Sequence, residues 1–242
     1  MKLVERFAGE VEAFLGVCAQ LARERHVTSH GGNLASLLEE DLFLITPTRM
    51  NKGELRREDL VFIRRTGEVI EGERAPTGEL PMYLDFFRAR PDVRSVIHCH
   101  PPFTNAFALL EREDWLMRPV FPETVIEVGP VPVVPYGEPL TQRLADNFAP
   151  FLRRYNAFLM ENHGLVLLSP EGIGRTMQLV DILEMTSVSL LQALAVGKVK
   201  VLSRDAIRGL ENTRRARRLP IMGAPGVNDS LETLYAGLCA DG

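Results

Sequence analysis

Val4, Phe7, Val11, Phe14, Leu15, Cys18 and Leu21 recur three or four residues apart through KLVERFAGEVEAFLGVCAQLARER. That spacing lays one apolar stripe along a helix and predicts that the helix packs against a sheet. After HVTSHGGN the period changes. The short apolar pieces LASLL, LFLIT and LVFI alternate with charged or Gly/Pro turns, as a meander of strands does. Helical spacing returns in Leu80, Tyr83, Leu84 and Phe87, and Pro81 falls in the first turn of that helix, where its missing N–H is harmless.

Beyond this helix the pattern alternates: a strand in VRSVIHCH, a helix in FTNAFALLER, a loop to VPVVPY, a helix in LTQRLADNFAPFLRR, and one strand in AFLMENHGLVLLS. The next helix runs from about Glu171 to Val196, and its apolar residues spread so far around it that more than the sheet must cover them. From Lys198 the chain shows a charged helix, the Pro/Gly break PIMGAPGVNDS and a last short helix. No internal repeat interrupts this order. It predicts one three-layer α/β domain over residues 1–242, with 198–242 as a C-terminal extension.

Composition limits the partners. Hydrophobic residues make up 45% and charged ones 25% of 242 residues, the balance of a globular chain with a sizeable core. A net charge of -4 disfavours a nucleic-acid surface, which needs a basic face. Cys18, Cys99 and Cys239 are too few and too scattered for a disulfide framework, which points to a reducing cytoplasm. No uninterrupted apolar run approaches the ~20 residues of a membrane span, so none is expected.

The chemistry begins in RPDVRSVIHCHPPF, where His98 and His100 flank Cys99. In a strand, side chains at i and i+2 share a face, with Cα atoms roughly 6–7 Å apart. Two imidazoles there can converge on one ion, and Cys99 must face the other way, as packing. The pair alone fits equally well as polar residues at a frayed strand end. A third histidine bears on the choice. Glu161, Asn162, His163 and Gly164 interrupt an apolar strand, and burying such a cluster without partners is costly. Three imidazoles would leave an open position, as catalytic zinc sites do; otherwise His163 is a turn residue bonded to backbone. Glu79, in APTGEL, opens the helix that leads into the histidine strand, where exposed N–H groups favour a carboxylate. It is either a base beside the histidines or an ordinary first-turn glutamate.

In chain order HGGNLAS, LITPTRM, PTGE, RPDVRSVIHCHPP and ENHG resemble the signature segments of the class II aldolase/adducin family, over about Arg23 to Val196. The resemblance implies a mixed, mostly antiparallel central sheet covered by helices, in a homotetramer with sites near subunit interfaces. It implies zinc, or another divalent ion such as Mn2+ or Co2+, on His98, His100 and His163, with Glu79 as catalytic acid/base. Asn33, Thr48, Arg49, Thr77 and Gly78 would form the pocket for a small, phosphorylated substrate, held by backbone N–H groups at the glycine-rich turns. The implied reaction is retro-aldol cleavage of a sugar phosphate, with the cation stabilising an enediolate and Glu79 moving the proton.

The chain also departs from the family pattern. Arg49 stands where the family usually has glycine, Thr77 and Gly78 where two serines usually precede the glutamate, and Phe121 near where family aldolases carry a tyrosine proton donor. Arg49 either pairs bidentately with a phosphate or carboxylate or points to solvent. These departures keep a decarboxylase of a 3-oxo or aromatic acid open beside the aldolase, together with a 4-epimerase and a dehydratase. A non-enzymatic adducin-like module is the alternative of another class; the complete His and Glu set argues against it. Glu123 and Glu161 either orient imidazoles or lie at the surface. RRARR, Arg214 to Arg218, reads as a solvated helix face, and Tyr235 as a possible donor to a neighbouring subunit.

Overall fold

The structure, a computed structural model, describes residues 1–111 and 114–240. The predicted first helix is two: α1 (Leu3–Arg6) and α2 (Ala8–Arg23), separated at Phe7, whose backbone leaves the helical region at φ -107° and ψ 36°. Val11, Phe14, Cys18 and Leu21 of α2 are buried, as the stripe requires.

The strands are β1 (Asn33–Glu39), β2 (Leu42–Ile45), β3 (Val61–Ile63), β4 (Val69–Glu71), β5 (Ser95–Cys99), β6 (Val133–Val134), β7 (Ala157–Met160) and β8 (Gly164–Ser169). They form one sheet in the order β4-β3-β2-β1-β5-β8-β7-β6. Neighbours run antiparallel except β6 and β7, which are parallel. The sheet is therefore mixed and mostly antiparallel, with α/β layering on both faces.

The remaining helices are α3 (Leu80–Ala89), α4 (Pro102–Phe107), α5 (Pro122–Glu127), α6 (Gln142–Asp146), α7 (Ile173–Val196), α8 (Arg204–Ala216) and α9 (Leu231–Leu234). On one face of the sheet, Phe14 of α2, Phe107 of α4 and Leu183 of α7 pack with Leu34, Ile97 and Leu167. On the other, Tyr83 and Phe86 of α3 and Leu144 of α6 pack with Ala35, Val96 and Val166. Alternate residues of β1, β5 and β8 thus go to opposite cores, which is why these central strands read as nearly continuous apolar runs. After α7, Ile207, Met222, Leu231, Leu234 and Tyr235 form a smaller cluster against Val125 of α5.

Several elements differ from the sequence expectation. AFLMENHGLVLLS is not one strand but β7 and β8, folded back as a hairpin with Met160 opposite Gly164. Asn162 takes a left-handed φ of 55° there, a conformation asparagine tolerates better than most residues. The loop before VPVVPY contains α5, with Pro122 at its first position. The expected strands do not include β4, a three-residue strand at the sheet edge whose Val69 and Ile70 are exposed. Against the expectation of no spanning segment, α7 is long and apolar enough, by length and composition, to cross a membrane, although polar residues interrupt its apolar run. Its inner side, including Met177, Val180, Leu183 and Leu190, is buried in the core on the α2 face of the sheet.

Candidate metal centre

The site is assembled at one end of the central strands. In the β1–β5 register Asn33 lies opposite His98, so the first residue of β1 faces the C-terminal end of the histidine strand. His98 is buried in β5, and its Nδ1–H donates to Leu165 O of β8 at 2.9 Å. That bond fixes the tautomer and leaves the Nε2 lone pair free. His100 lies just past β5, where its backbone N–H donates to His26 O at 2.6 Å. His163 sits in the β7–β8 turn; its carbonyl accepts from Asn105 Nδ2 of α4 at 3.2 Å.

The three rings converge. Centroids of His98 and His100 are 4.7 Å apart, of His98 and His163 4.9 Å, and of His100 and His163 5.5 Å. His98 Nε2 and His100 Nε2 are 3.2 Å apart. One nitrogen from each ring falls within 4.8 Å of the others, a grouping that can hold a metal ion. The backbone makes room for them at Gly164, where a Cβ would stand 2.5 Å from His100 Cδ2 and 2.9 Å from His98 Cε1. Gly31 does the same on the opposite side, 2.8 Å from His100 Nδ1.

Burial, with the neighbouring His163 adding to it, pushes the His98 imidazole down to about 3. Burial and the adjacent His98 and His163 rings do the same for His100, also to about 3. His163 is lowered by burial against the opposing pull of Glu79. Neutral rings keep their lone pairs, and Nδ1 of His163 is a buried atom with no hydrogen-bond partner. An imidazole trio of this kind fits a divalent transition ion.

Glu79 is the N-cap residue of α3 and is 5% exposed. Its Oε2 lies 3.5 Å from His98 Nε2 and its Oε1 3.6 Å from His163 Nε2. Asn33 Nδ2 donates to Oε2 at 2.8 Å. Tyr83 O–H, from α3, reaches Asn33 Oδ1 at 2.6 Å and Asn33 O at 2.7 Å, which turns the amide nitrogen toward Glu79. Burial, reinforced by the Glu79 carboxylate, holds the Tyr83 phenol well above its usual range, so it stays a donor.

A cavity of about 250 Å³ opens over this cluster. Thr48, Arg49, Thr77 and Gly78 line it together with Asn33, Glu79 and the three histidines. Two loops form its wall because Thr77 N–H donates to Thr46 O at 3.0 Å and Thr48 N–H to Ala75 O at 3.1 Å. Thr77 Oγ1 accepts the Glu79 N–H at 3.3 Å, fixing the entry into α3. Arg49 is exposed, with a left-handed φ of 54°.

Two further residues belong to the site. Tyr83 falls at an apolar helix position in the sequence pattern; the signal for its role is that a buried tyrosine needs a partner for its hydroxyl. Lys52, in MNKGEL, is 2% exposed and lines the cavity, its Nζ donating to Met50 O at 2.8 Å. Burial lowers its ammonium from the ordinary lysine value, with the Cys18 and Glu79 side chains opposing. No local pattern distinguishes it from a surface lysine.

Other candidates lie elsewhere. Cys99 is buried in the α2-side core, as packing. Glu161 accepts from Tyr136 N–H at 2.8 Å instead of an imidazole, and Glu123 is exposed on α5. Phe121 is 42% exposed and does not line the cavity. Tyr235 is 1% exposed within the C-terminal cluster and does not project outward. Arg214 and Arg215 both bond the buried Glu211; Arg214 is largely covered, while Arg215, Arg217 and Arg218 are exposed, so RRARR is mainly a solvated face.

A mixed sheet whose central strands end in three convergent imidazoles beside a buried carboxylate defines an α/β protein of the class II aldolase type. The chain belongs to the family described as Class II Aldolase and Adducin N-terminal domain, which it matches over residues 12–186. It is 34% identical over 194 residues to a 3-oxo-tetronate 4-phosphate decarboxylase of Pectobacterium atrosepticum, covering 79% of this chain and 88% of that one. It is 31% identical over 182 residues to a 5-deoxy-D-ribulose 1-phosphate aldolase of Bacillus thuringiensis, covering 74% and 83%. Its fold is similar to the crystal structure of YgbL from Klebsiella pneumoniae, with a TM-score of 0.78, 30% identity, and 84% and 98% of the two chains covered.

Proposed function

We propose that this protein is a divalent-metal-dependent carbon–carbon lyase that decarboxylates a phosphorylated 3-oxo acid. The observation that carries the reading is the pairing of Arg49 with the buried Lys52 in the cavity that holds the histidines. A 3-oxo acid phosphate has two anionic ends, and two cations in one small cavity match that better than a ketose phosphate with one. An anion beside Lys52 would also restore the charge that burial weakens. The decarboxylase relative, similar over 88% of its length, supports the same assignment.

His98, His100 and His163 would hold the ion, with zinc the expected occupant. When bound, it supplies Lewis-acid stabilisation of the negative charge that develops when a bond beside a carbonyl breaks. Glu79 moves the proton at the carbon left by departing CO2. Asn33 and Tyr83 orient Glu79. Thr48, Thr77 and Gly78 present the loop edges that seat the phosphate, and Arg49 grips an anionic oxygen pair.

Retro-aldol cleavage of a sugar phosphate is the second reading, favoured by the position of Glu79 between two imidazoles and by the aldolase relative. Lys52 moves the balance away from it. The exposed apolar side chains Phe103, Leu109, Leu110, Met185 and Val196 support a homotetramer. Three free cysteines suit a cytoplasmic setting. We read residues 1–242 as one domain, with 198–242 as an extension past the family match.

The test compares CO2 release from 3-oxo-tetronate 4-phosphate with aldehyde release from a panel of ketose 1-phosphates, using metal-loaded protein. Faster CO2 release is expected. The reverse order would replace the decarboxylase by the aldolase, and inactivity on both panels would reject the lyase.

A further inference from the structure

A second group of ligand-type side chains lies on the far side of His100. α2 ends in a Schellman turn: His26 N–H donates to Leu21 O at 2.8 Å and Arg25 N–H to Ala22 O at 3.2 Å, with Arg25 at a φ of 61°. The turn folds the side chains of Glu24 and His26 toward Asp181 on α7. His26 Nε2 stands 3.7 Å from Glu24 Oε2 and 3.7 Å from Asp181 Oδ1.

These distances are too long for hydrogen bonds. The imidazole is only 9% exposed, and its Nδ1 is buried with no hydrogen-bond partner at all. Nε2, the ring nitrogen aimed at the two carboxylates, also makes no hydrogen bond at these distances, and a buried ring without a bonded partner is costly. Gln20, one turn back on α2, spans the same two groups with its amide, 3.3 Å from Glu24 Oε2 and 3.4 Å from Asp181 Oδ2. Arg23 touches only the outer oxygen of Glu24, at 3.5 Å. Burial, with the like charge of Glu24 adding, holds the Asp181 carboxyl above its usual range.

We propose that Glu24, His26 and Asp181 form a second binding site for a divalent transition-metal ion. Nitrogen and oxygen ligands sit at about 2.0–2.2 Å from zinc, which puts neighbouring donors of a tetrahedral site about 3.4 Å apart. His26 Nε2, 3.7 Å from each carboxylate, has only a few tenths of an ångström to close on either one, and all three donor atoms lie within 4.8 Å of one another. The remaining position opens to solvent through the partly exposed Glu24 and Asp181, so water completes the set.

The site is structural and serves the first one. It ties the end of α2 to α7, and the residue it fixes, His26, supplies the carbonyl that accepts the His100 N–H at 2.6 Å. A metal here holds the backbone that positions His100.

The experiment counts zinc per chain by elemental analysis after equilibration with excess Zn2+ and removal of free ion. It uses the full-length protein and Asp181→Asn, with Glu24→Gln as the second variant and circular dichroism to confirm folding. Both substitutions are isosteric and lie on partly exposed side chains. Each is expected to lose one equivalent relative to the parent; an unchanged count in both variants overturns the proposal. Repeating the comparison on a His98→Ala/His163→Ala background separates the two centres. One equivalent should remain there and vanish on adding Asp181→Asn, whereas no zinc on that background rejects the second site and leaves the first intact.

Discussion

Asn33 Nδ2 donates to Glu79 Oε2 at 2.8 Å, joining the first residue of β1 to the N-cap of α3 across 46 positions of sequence. Tyr83 O–H on Asn33 Oδ1 decides which end of the amide faces the carboxylate. Partners that orient a metal-site group are typically worth about 10–100-fold. Asn33→Ala should therefore lower kcat by about that factor while the zinc count holds, and Tyr83→Phe should lower it less. Steady-state kinetics with parallel metal analysis checks both; loss of metal in Asn33→Ala would make the residue part of the binding site instead.

Glu79→Gln keeps the shape of the side chain and removes its ability to move a proton. Turnover is expected to fall by about 10²–10⁴-fold, with metal retained. His163→Ala should lose both activity and one equivalent of metal. Unchanged turnover in Glu79→Gln would take Glu79 out of the chemistry.

Lys52→Met keeps the buried stem and removes the cation. The expected result is a KM for the phosphorylated substrate raised about 10-fold or more, since a charged hydrogen bond contributes roughly 1.5–3 kcal/mol. Arg49→Gln should raise KM as well. If Lys52→Met changes only kcat, the lysine acts on the reaction and not on the anion.

Gly164→Ala places a methyl carbon 2.5 Å from the His100 ring and 2.8 Å from Cys99 O. The backbone oxygen cannot yield cheaply, so a loss of about 1–3 kcal/mol is expected. Weaker zinc binding should accompany it. Thermal melts of the metal-free and metal-loaded variant separate the two effects.

Glu211 anchors the C-terminal cluster. Burial raises its carboxyl, but hydrogen bonds from Arg214, Arg215 and the Leu231 N–H outweigh this and bring it down to about 2 from 4.5. A depressed folded-state value gives stability that is present above pH 4.5 and lost as pH falls toward 2. Glu211→Gln should cost about 2 kcal/mol near neutral pH, and the gap between variant and parent melting curves should narrow through that acid window. A gap independent of pH would assign the effect to packing.

The sequence by itself determined whatever depends on local period. The two-residue repeat of a strand put His98 and His100 on one face and Cys99 on the other, and the core position of Cys99 follows from the same alternation. The apolar stripe of α2 and the wide apolar surface of α7 were legible for the same reason: a side chain's direction from its own helix or strand is set by its neighbours in sequence. Local period misleads where a short polar turn, Glu161 to His163, is flanked so closely by apolar strand residues that the two strands read as one, and where Phe7 breaks one stripe into two helices.

Only the tertiary structure decided which faces meet. Lys52 became a buried cation because the turn that carries it closes over the cavity beside β1, and Tyr83 became the hydroxyl that orients Asn33 because α3 crosses the start of that strand. The grouping of Glu24 and His26 with Asp181 depends on α2 lying against α7, more than 150 residues later in the chain. Contacts of that kind are fixed by strand register and by the stacking of helices on the sheet, and no residue's immediate neighbours encode them.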